Sequence, residues 1–391
     1  MEKTNSIPDI SVNEFISEAI TSYVENGFSF SLWRLPNSST VQMAASEQPA
    51  LLSEVNLEES SSGFLFSPFD PHKEKIHLPL DEYAEFQTHQ IISYKGKIVD
   101  GIITKKKTTP SKPVPYYTLS GSSVTTTDEG YKQLVSKSID EVVRGNFEKI
   151  VPSRCKSLTL PKDFDIIETF NKLCELYPLA MVSVFSSPLT GTWIGATPEM
   201  LVRIGSDQHF HTVAVAGTQP YETGTELRSV SWTQKEIEEQ ALVERYIISC
   251  FKKIRLREYD ELGPKTIVAG NLLHLKTEFS VDMVATNFPQ LGSIMLNLLH
   301  PTSAVCGMPL QASLDFLKQN EGYDRQFYSG YLGPVNIKSE TNLYVNLRCM
   351  QLFANEAVLY AGAGVMADSD PEKEWTETEM KMNTLIKSIK K

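Results

Sequence analysis

The chain has few cysteines for its 391 residues: Cys155, Cys174, Cys250, Cys306 and Cys349. Their number is odd, their spacings are wide and no CxxC occurs. This argues against a disulfide framework or a structural zinc site and for a reducing compartment. No run approaches the roughly 18 apolar residues that a membrane span needs. The opening MEKTNSIPDISVNEF carries acidic residues and no apolar segment of signal-peptide length. The expectation is a soluble, cytoplasmic protein. Positive charge is also scarce: 37 Lys plus Arg against 48 Asp plus Glu, a formal charge of -11. Such a surface repels phosphate backbones, which speaks against general nucleic-acid binding. An anionic small molecule would need a local cluster of cations or a metal ion. No GxGxxG lies between a strand and a helix, and the AGAG at residues 361–364 lacks the third glycine, so a dinucleotide site is poorly supported.

What is present is an ordinary globular balance, 41% hydrophobic and 22% charged, enough to bury a sizeable core. No repeat of 20–50 residues is evident. Residues 11–26 read as a helix with Phe15, Ile16, Ala19, Ile20 and Tyr23 on one face. Extended pieces follow at 28–35, 63–69 and 91–94. The basic, Pro-containing stretch Lys105–Pro115 reads as a solvated loop. It marks a soft boundary between an N-terminal part, residues 1–125, and a region 126–391. In the latter, residues 128–146 have helical periodicity, with Leu134, Ile139, Val142 and Val143 turned inward. Residues 149–160, 180–186, 192–194, 201–204 and 210–215 read as strands, 233–255 and 310–318 as helices, 343–352 and 357–361 as paired strands, and 371–389 as a closing helix. Antiparallel meanders with helices between them indicate an α+β fold rather than a doubly wound sheet.

Two helices carry acidic residues three apart: Glu236 and Glu239 in one, Glu374 and Glu377 in the other, with Lys381 four further on. Residues at this spacing share a helix face. Either pair alone reads as an exposed acidic face. Two pairs facing each other would make an oxygen-lined site suited to Mg²⁺, which takes one or two carboxylates directly and keeps room for water and an anionic ligand. Glu199, in ATPEM, is either a turn residue or a carboxyl buried enough to act as a general acid. Lys149, in FEKIVPSR, is solvent-facing or, in a closed pocket, a base. Arg348 sits among apolar residues in VNLRCM, and arginine is rarely buried without an anionic partner. His274 alone reads more readily as a core histidine than a catalytic one. AVAGTQP and HPTSAVCG are either tight turns or backbone that approaches a ligand closely.

FEKIVPSR, GATPEML, VAGT, KEIEEQALV, LLHL, HPTSAVCG, DRQFYSGYLG, LRC, YAGAGV and EWTETEMK follow one another along residues 147–381. This ordered set resembles the chorismate-utilising enzymes: isochorismate, anthranilate, aminodeoxychorismate and salicylate synthases. The resemblance is strong over residues 126–390 and looser in the N-terminal third. It implies one large chorismate-binding-type domain, antiparallel sheets forming a two-layer β core with helices outside. By matched position, Glu239 and Glu377 resemble Mg²⁺ ligands, with Glu236 and Glu374 as acidic supporters. Gly217, Thr218 and Lys381 match positions near the ring carboxylate that the metal holds. Arg348, Tyr328 and the backbone of Gly362 match the enolpyruvyl carboxylate site, and His274 and Ala304 line the ring. One departure is Gln240, where the family often has histidine.

The branch within the family rests on a few positions. Ala216–Gly217 stands where aminodeoxychorismate synthases have a nucleophilic lysine. Lys149 matches the lysine that activates water in the isochorismate and salicylate branches, and Ala304 resembles isochorismate rather than salicylate synthases. No glutaminase-type segment is present and no such obligate partner is expected. The resemblance therefore implies a magnesium-dependent isomerase converting chorismate to isochorismate, with Lys149 as base and Glu199 as acid. Its product would feed menaquinone, siderophore or salicylate synthesis. A salicylate synthase is the alternative within the family, a non-catalytic chorismate-binding protein the one outside it. A monomer is expected.

Overall fold

The computed structural model describes residues 11–87, 90–104, 113–120, 124–222, 224–269 and 272–389. Most of the Lys105–Pro115 loop lies outside these. The N-terminal elements are α1 (Val12–Glu25), β1 (Ser29–Arg34), β2 (Thr40–Ser46), β3 (Ala50–Leu52), β4 (Gly63–Ser67), β5 (Lys75–Pro79), β6 (Glu82–Gln87), β7 (Gln90–Lys95) and α2 (Lys97–Thr104). Next come α3 (Asp128–Val143), β8 (Lys149–Ile150), β9 (Ser153–Thr159), α4 (Ile166–Leu176), β10 (Met181–Ser187), β11 (Gly191–Thr197), β12 (Met200–Ile204), β13 (His209–Pro220) and α5 (Gln234–Lys253). The chain ends with β14 (Asp260–Ala269), β15 (Leu272–Asp282), α6 (Leu291–Leu299), β16 (Gly307–Met308), α7 (Leu310–Asn320), β17 (Tyr331–Val335), β18 (Thr341–Val345), β19 (Cys349–Leu352), β20 (Glu356–Gly362) and α8 (Pro371–Ile389).

Two nine-stranded antiparallel sheets dominate, in the orders β7-β6-β2-β1-β10-β11-β19-β20-β9 and β14-β15-β13-β12-β18-β17-β4-β5-β3. A two-stranded ribbon joins β8 to β16. The α+β expectation and the two-layer β core hold. Trp33, Phe66, Phe185, Trp193, Leu332 and Tyr344 pack between the sheets. Each fully buried large side chain of this kind contributes roughly 1.5–3 kcal/mol. Phe30 and Leu32 point the other way, with residues of α1, α2, α4 and α8. On the far face of the second sheet, residues of α3, α5 and α6 bury Phe210, Phe279 and Leu343. Because both faces of each sheet are covered, central strands are buried along their whole length and read as continuous apolar runs.

Local signals explain the helix starts. Ser11 and Glu14 close a capping box on α1, as Thr233 and Glu236 do on α5. In α3 the buried stripe is Tyr131, Leu134, Val135 and Ser138. Val143, expected to face inward, is 67% exposed; it lies one residue, about 100° of helix rotation, past the stripe's continuation at Val142. The run 343–352 is also not one strand. β18 belongs to the second sheet and β19 to the first, and the chain crosses between them at Asn346–Arg348. β11 and β12 are split between the sheets in the same way, at Pro198–Glu199.

Candidate active site

These two crossings set the site. Each delivers a charged side chain to the gap where one sheet hands the chain to the other. At the first, Val345 N–H donates to the Glu199 carbonyl at 2.9 Å, joining the two crossing segments. At the second, Arg348 adopts a left-handed backbone, φ 47°. A non-glycine residue held there costs roughly 1–3 kcal/mol and persists where its surroundings dictate it.

α5 and α8 bring the remaining charges. Gln240 is buried and donates to Ala214 O at 3.2 Å and Thr277 Oγ1 at 3.2 Å, tying α5 to β13 and β15. The buried Arg154 holds α8: its Nε donates to Thr378 Oγ1 at 2.6 Å, its guanidinium lies 3.6 Å from the Trp375 ring centroid, and it pairs with Glu379.

The resulting cleft has a volume of about 700 Å³, counting its open mouth. Glu199, Gly217, Thr218, Glu239, His274, Ala304, Tyr328, Arg348, Gly362 and Lys381 all line it. Pro198, Val215, Leu347 and Tyr360 also line it and were not foreseen; nothing in the sequence marks such apolar positions as anything but core. Lys149 stands behind the wall, 1% exposed, with Nζ 2.8 Å from Glu239 Oε1.

Gly217 has φ +68°, a conformation glycine adopts at no steric cost. A Cβ there would stand 3.2 Å from the Trp232 ring. Its carbonyl accepts from His274 Nδ1 at 2.7 Å. A carbonyl only accepts and a guanidinium only donates. His274 Nε2, 3.4 Å from Arg348 Nη2, is thus the acceptor, and the ring is the neutral Nδ1–H tautomer. Burial and the nearby Arg348 charge agree, holding the imidazole down to about 3. Arg348 also donates to Thr384 Oγ1 at 3.0 Å.

Burial pushes the Glu199 carboxyl up to about 7, against the pull of Lys149, Lys381 and Arg348. Burial likewise lowers Arg348 to about 10, with Glu377 acting in the opposite sense, and raises the Tyr328 hydroxyl to about 12. Burial works against the charge of Glu239 too, but Lys149, Lys235 and Lys381 outweigh it, and the carboxyl stays below its usual range.

The four acidic residues of α5 and α8 do not form the single cage expected of them. Among the described residues no three His, Cys, Asp or Glu side chains converge as a metal-binding group. Instead lysines intervene: Glu239 pairs with Lys149 at 2.8 Å, Glu377 with Lys381 at 2.6 Å, and the buried Glu374 with Lys235. Lys381 Nζ also donates to Gly362 O at 2.8 Å. Glu236 stands apart. Its carboxylate accepts from Thr233 N–H at 2.8 Å and Gln219 Nε2 at 2.8 Å, serving the cap of α5. The T-x-x-E spacing was the signal for this role. Lys235 was missed, although it lies four residues before Glu239 on the same helix face.

The family model for the chorismate binding enzymes matches residues 81–390. The chain belongs to this family. It is 27% identical over 266 residues to the isochorismate synthase EntC of Escherichia coli K12, covering 66% of each chain. It is 29% identical over 274 residues to the isochorismate synthase DhbC of Bacillus subtilis, covering 67% of this chain and 68% of that one. The match thus spans 66% of the length of the E. coli relative. Among solved structures, the menaquinone-specific isochorismate synthase MenF of E. coli superposes with a TM-score of 0.77 at 19% identity, covering 100% of this chain and 94% of that one. A 2,3-dihydroxybenzoate-specific isochorismate synthase, DhbC of Bacillus anthracis, superposes with a TM-score of 0.72 at 22% identity, covering 95% and 99%. These two likenesses establish the fold.

Proposed function

We propose that the protein is an isochorismate synthase, an isomerase that moves the hydroxyl of chorismate from ring C4 to C2. The observation that carries this reading is a buried Glu199 on the wall of the cleft with Lys149 just behind that wall. Glu199 is a buried carboxyl whose affinity for its proton reaches the neutral range, and Lys149 leads the charges that act on it. An acid and a base at opposite ends of one ring are what the transposition needs.

In the reactive form the Lys149 amine has given up its proton, and it takes one from water as the water oxygen bonds to C2. Both ring double bonds shift and the C4–O bond breaks. Glu199 gives its proton to the departing hydroxyl, which leaves as water. One water enters and one leaves, and solvent returns the proton from Lys149 to Glu199. Arg348 and Lys381 hold the substrate carboxylates, with Tyr328 and the backbone of Gly217, Thr218 and Gly362 beside them. Neutral His274 fixes the Arg348 fork, and Ala304 leaves room for the ring.

The donor set fits a hard divalent cation. Glu239 and Glu377 offer carboxylate oxygens now balanced by lysine ammonium groups, and Mg²⁺ needs only one or two such ligands. Glu239 and Glu377 would hold it with the buried Glu374 behind them, and when bound it supplies positive charge for the ring carboxylate. The five thiols are free, which suits a reducing compartment such as the cytoplasm, and no described helix is long and apolar enough to cross a membrane; the reading includes a monomer acting on a small-molecule substrate.

The test is chorismate with Mg²⁺ and chromatographic separation of products. Isochorismate is expected, and Lys149→Ala should lose on the order of 10²–10⁴ in rate. Fluorescent salicylate formed without a second enzyme would move the protein to the salicylate branch. Thermal stabilisation by chorismate without turnover would make it a binding protein.

A further inference from the structure

Lys149 sits on a ribbon too small to hold itself. β8 and β16 have two residues each and belong to neither large sheet; a two-stranded piece has little stability alone. Its ladder runs from Glu148 N–H, donating to Met308 O at 2.8 Å, to Val151 N–H, donating to Cys306 O at 2.9 Å. Past that end Arg325 takes over. Its Nη2 donates to Val151 O at 2.7 Å and its Nη1 to Val305 O at 2.8 Å, bridging the two strands. Glu321 fixes the fork, accepting from Nε at 2.8 Å and Nη2 at 2.5 Å. The same carboxylate accepts from Ser153 N–H at 2.7 Å and Ser153 Oγ at 2.9 Å. The Phe69 ring lies 4.3 Å from the guanidinium. Both members are buried, Arg325 to 3% and Glu321 to 9% exposure.

Val151 and Val305 line the cleft, whereas Glu321 and Arg325 do not. A charge pair buried this deeply is weak evidence for stability in itself, and its hydrogen bonds go to backbone on both sides of the ribbon. We propose that Glu321 and Arg325 are positioning residues for the reaction. They set the spacing between the Lys149 strand and the Ala304–Val305 turn that leads into β16, and so place the Lys149 amine against the substrate ring. The proposal rests on the reading of the cleft as a chorismate-isomerising site.

The test compares Arg325→Lys, Arg325→Met and the double variant Glu321→Gln/Arg325→Met, which leaves no unpaired buried charge. Each is assayed well below its own melting transition. The double variant should lose on the order of 10²-fold in kcat with KM for chorismate nearly unchanged, and Arg325→Lys should fall between it and the parent. Amide hydrogen exchange without substrate should accelerate at residues 149–153 and 305–308 of the double variant and not in α5. Lower melting with an unchanged kcat per folded molecule, or unchanged exchange at 149–153, would overturn the proposal. If the parent makes no isochorismate, the functional reading falls, and the exchange comparison still decides whether the pair holds the ribbon.

Discussion

Glu239 lies under Gly364 with no room between them: a Cβ at residue 364 would stand 2.2 Å from Glu239 Oε1 and 2.8 Å from Lys149 Cε. The AGAG run that made a poor dinucleotide motif thus serves close approach of backbone to an ion pair. Gly364→Ala would push aside the end of a flexible side chain rather than backbone. The variant should fold, with stability changed by about 1 kcal/mol or less. Isochorismate formation should fall by at least about tenfold, since the carboxylate and the amine beside it are both displaced. Turnover near the parental rate, with normal melting, would show that Glu239 need not hold its place.

Glu199 makes function and stability oppose each other. Its carboxyl rises from an ordinary 4.5 to about 7 in the folded protein. Between these values the folded state binds more protons than the unfolded one, so stability falls as pH rises and levels off above about 7. A shift of that size is worth about 3 kcal/mol. Glu199→Gln, neutral at every pH, should therefore melt higher than the parent at pH 8 and alike at pH 4. Its rate should drop on the order of 10²–10⁴. The parental kcat/KM should have a descending limb near pH 7 that is absent from the variant's residual activity. Equal melting of the two proteins at pH 8 would refute the burial argument.

Much of this site was legible because its charges sit on amphipathic helices. Glu239, Glu374, Glu377 and Lys381 repeat at helical spacing, and α5 and α8 lie where periodicity put them. The crossings were not legible. Residues 343–352 are almost all buried on both faces, so no alternation of polar and apolar residues marks where β18 ends and β19 begins. Arg348 therefore read as a strand residue, although it occupies a left-handed turn between sheets. Glu236 reads two ways. Its spacing matches both a metal site and a helix cap, and in this structure its carboxylate accepts from Thr233 N–H. The β14–β15 hairpin and the helices α4 and α6 were missed although signals were present: β15 alternates buried with half-buried residues from Leu275 to Asp282, and α4 sets Ile166, Ile167, Phe170 and Leu173 on one buried face.

Arg348 reaches two fixed acceptors, Thr384 Oγ1 at 3.0 Å and His274 Nε2 at 3.4 Å, and among the described residues its guanidinium has no third acceptor, which leaves donors for an anion. Lysine carries the charge without the planar fork. Arg348→Lys should raise KM for chorismate by about tenfold or more, the loss of one charge-assisted hydrogen bond, with a smaller effect on kcat. His274 should add no ionisation to the pH profile between 5 and 8, since it is neutral throughout. A KM equal to the parent's would remove Arg348 from the substrate site.

The acidic residues of α5 and α8 can be sorted by what each carboxylate touches. Among the described residues, Glu239 and Glu377 meet only lysine ammonium groups and the distant Gly217 N–H, 3.4 Å away. Glu236 is committed to the Thr233 cap and Gln219. Added Mg²⁺ should raise the melting temperature of the parent in a saturable way, because a ligand that binds the folded state stabilises it by mass action. Glu239→Gln and Glu377→Gln should each move the midpoint of that rise to at least about tenfold more Mg²⁺, the loss of one of two direct carboxylates. Glu236→Ala should lower stability by the worth of a cap, about 1 kcal/mol, and leave the Mg²⁺ midpoint in place. A shift of that midpoint in Glu236→Ala as large as in Glu239→Gln would return Glu236 to the metal site.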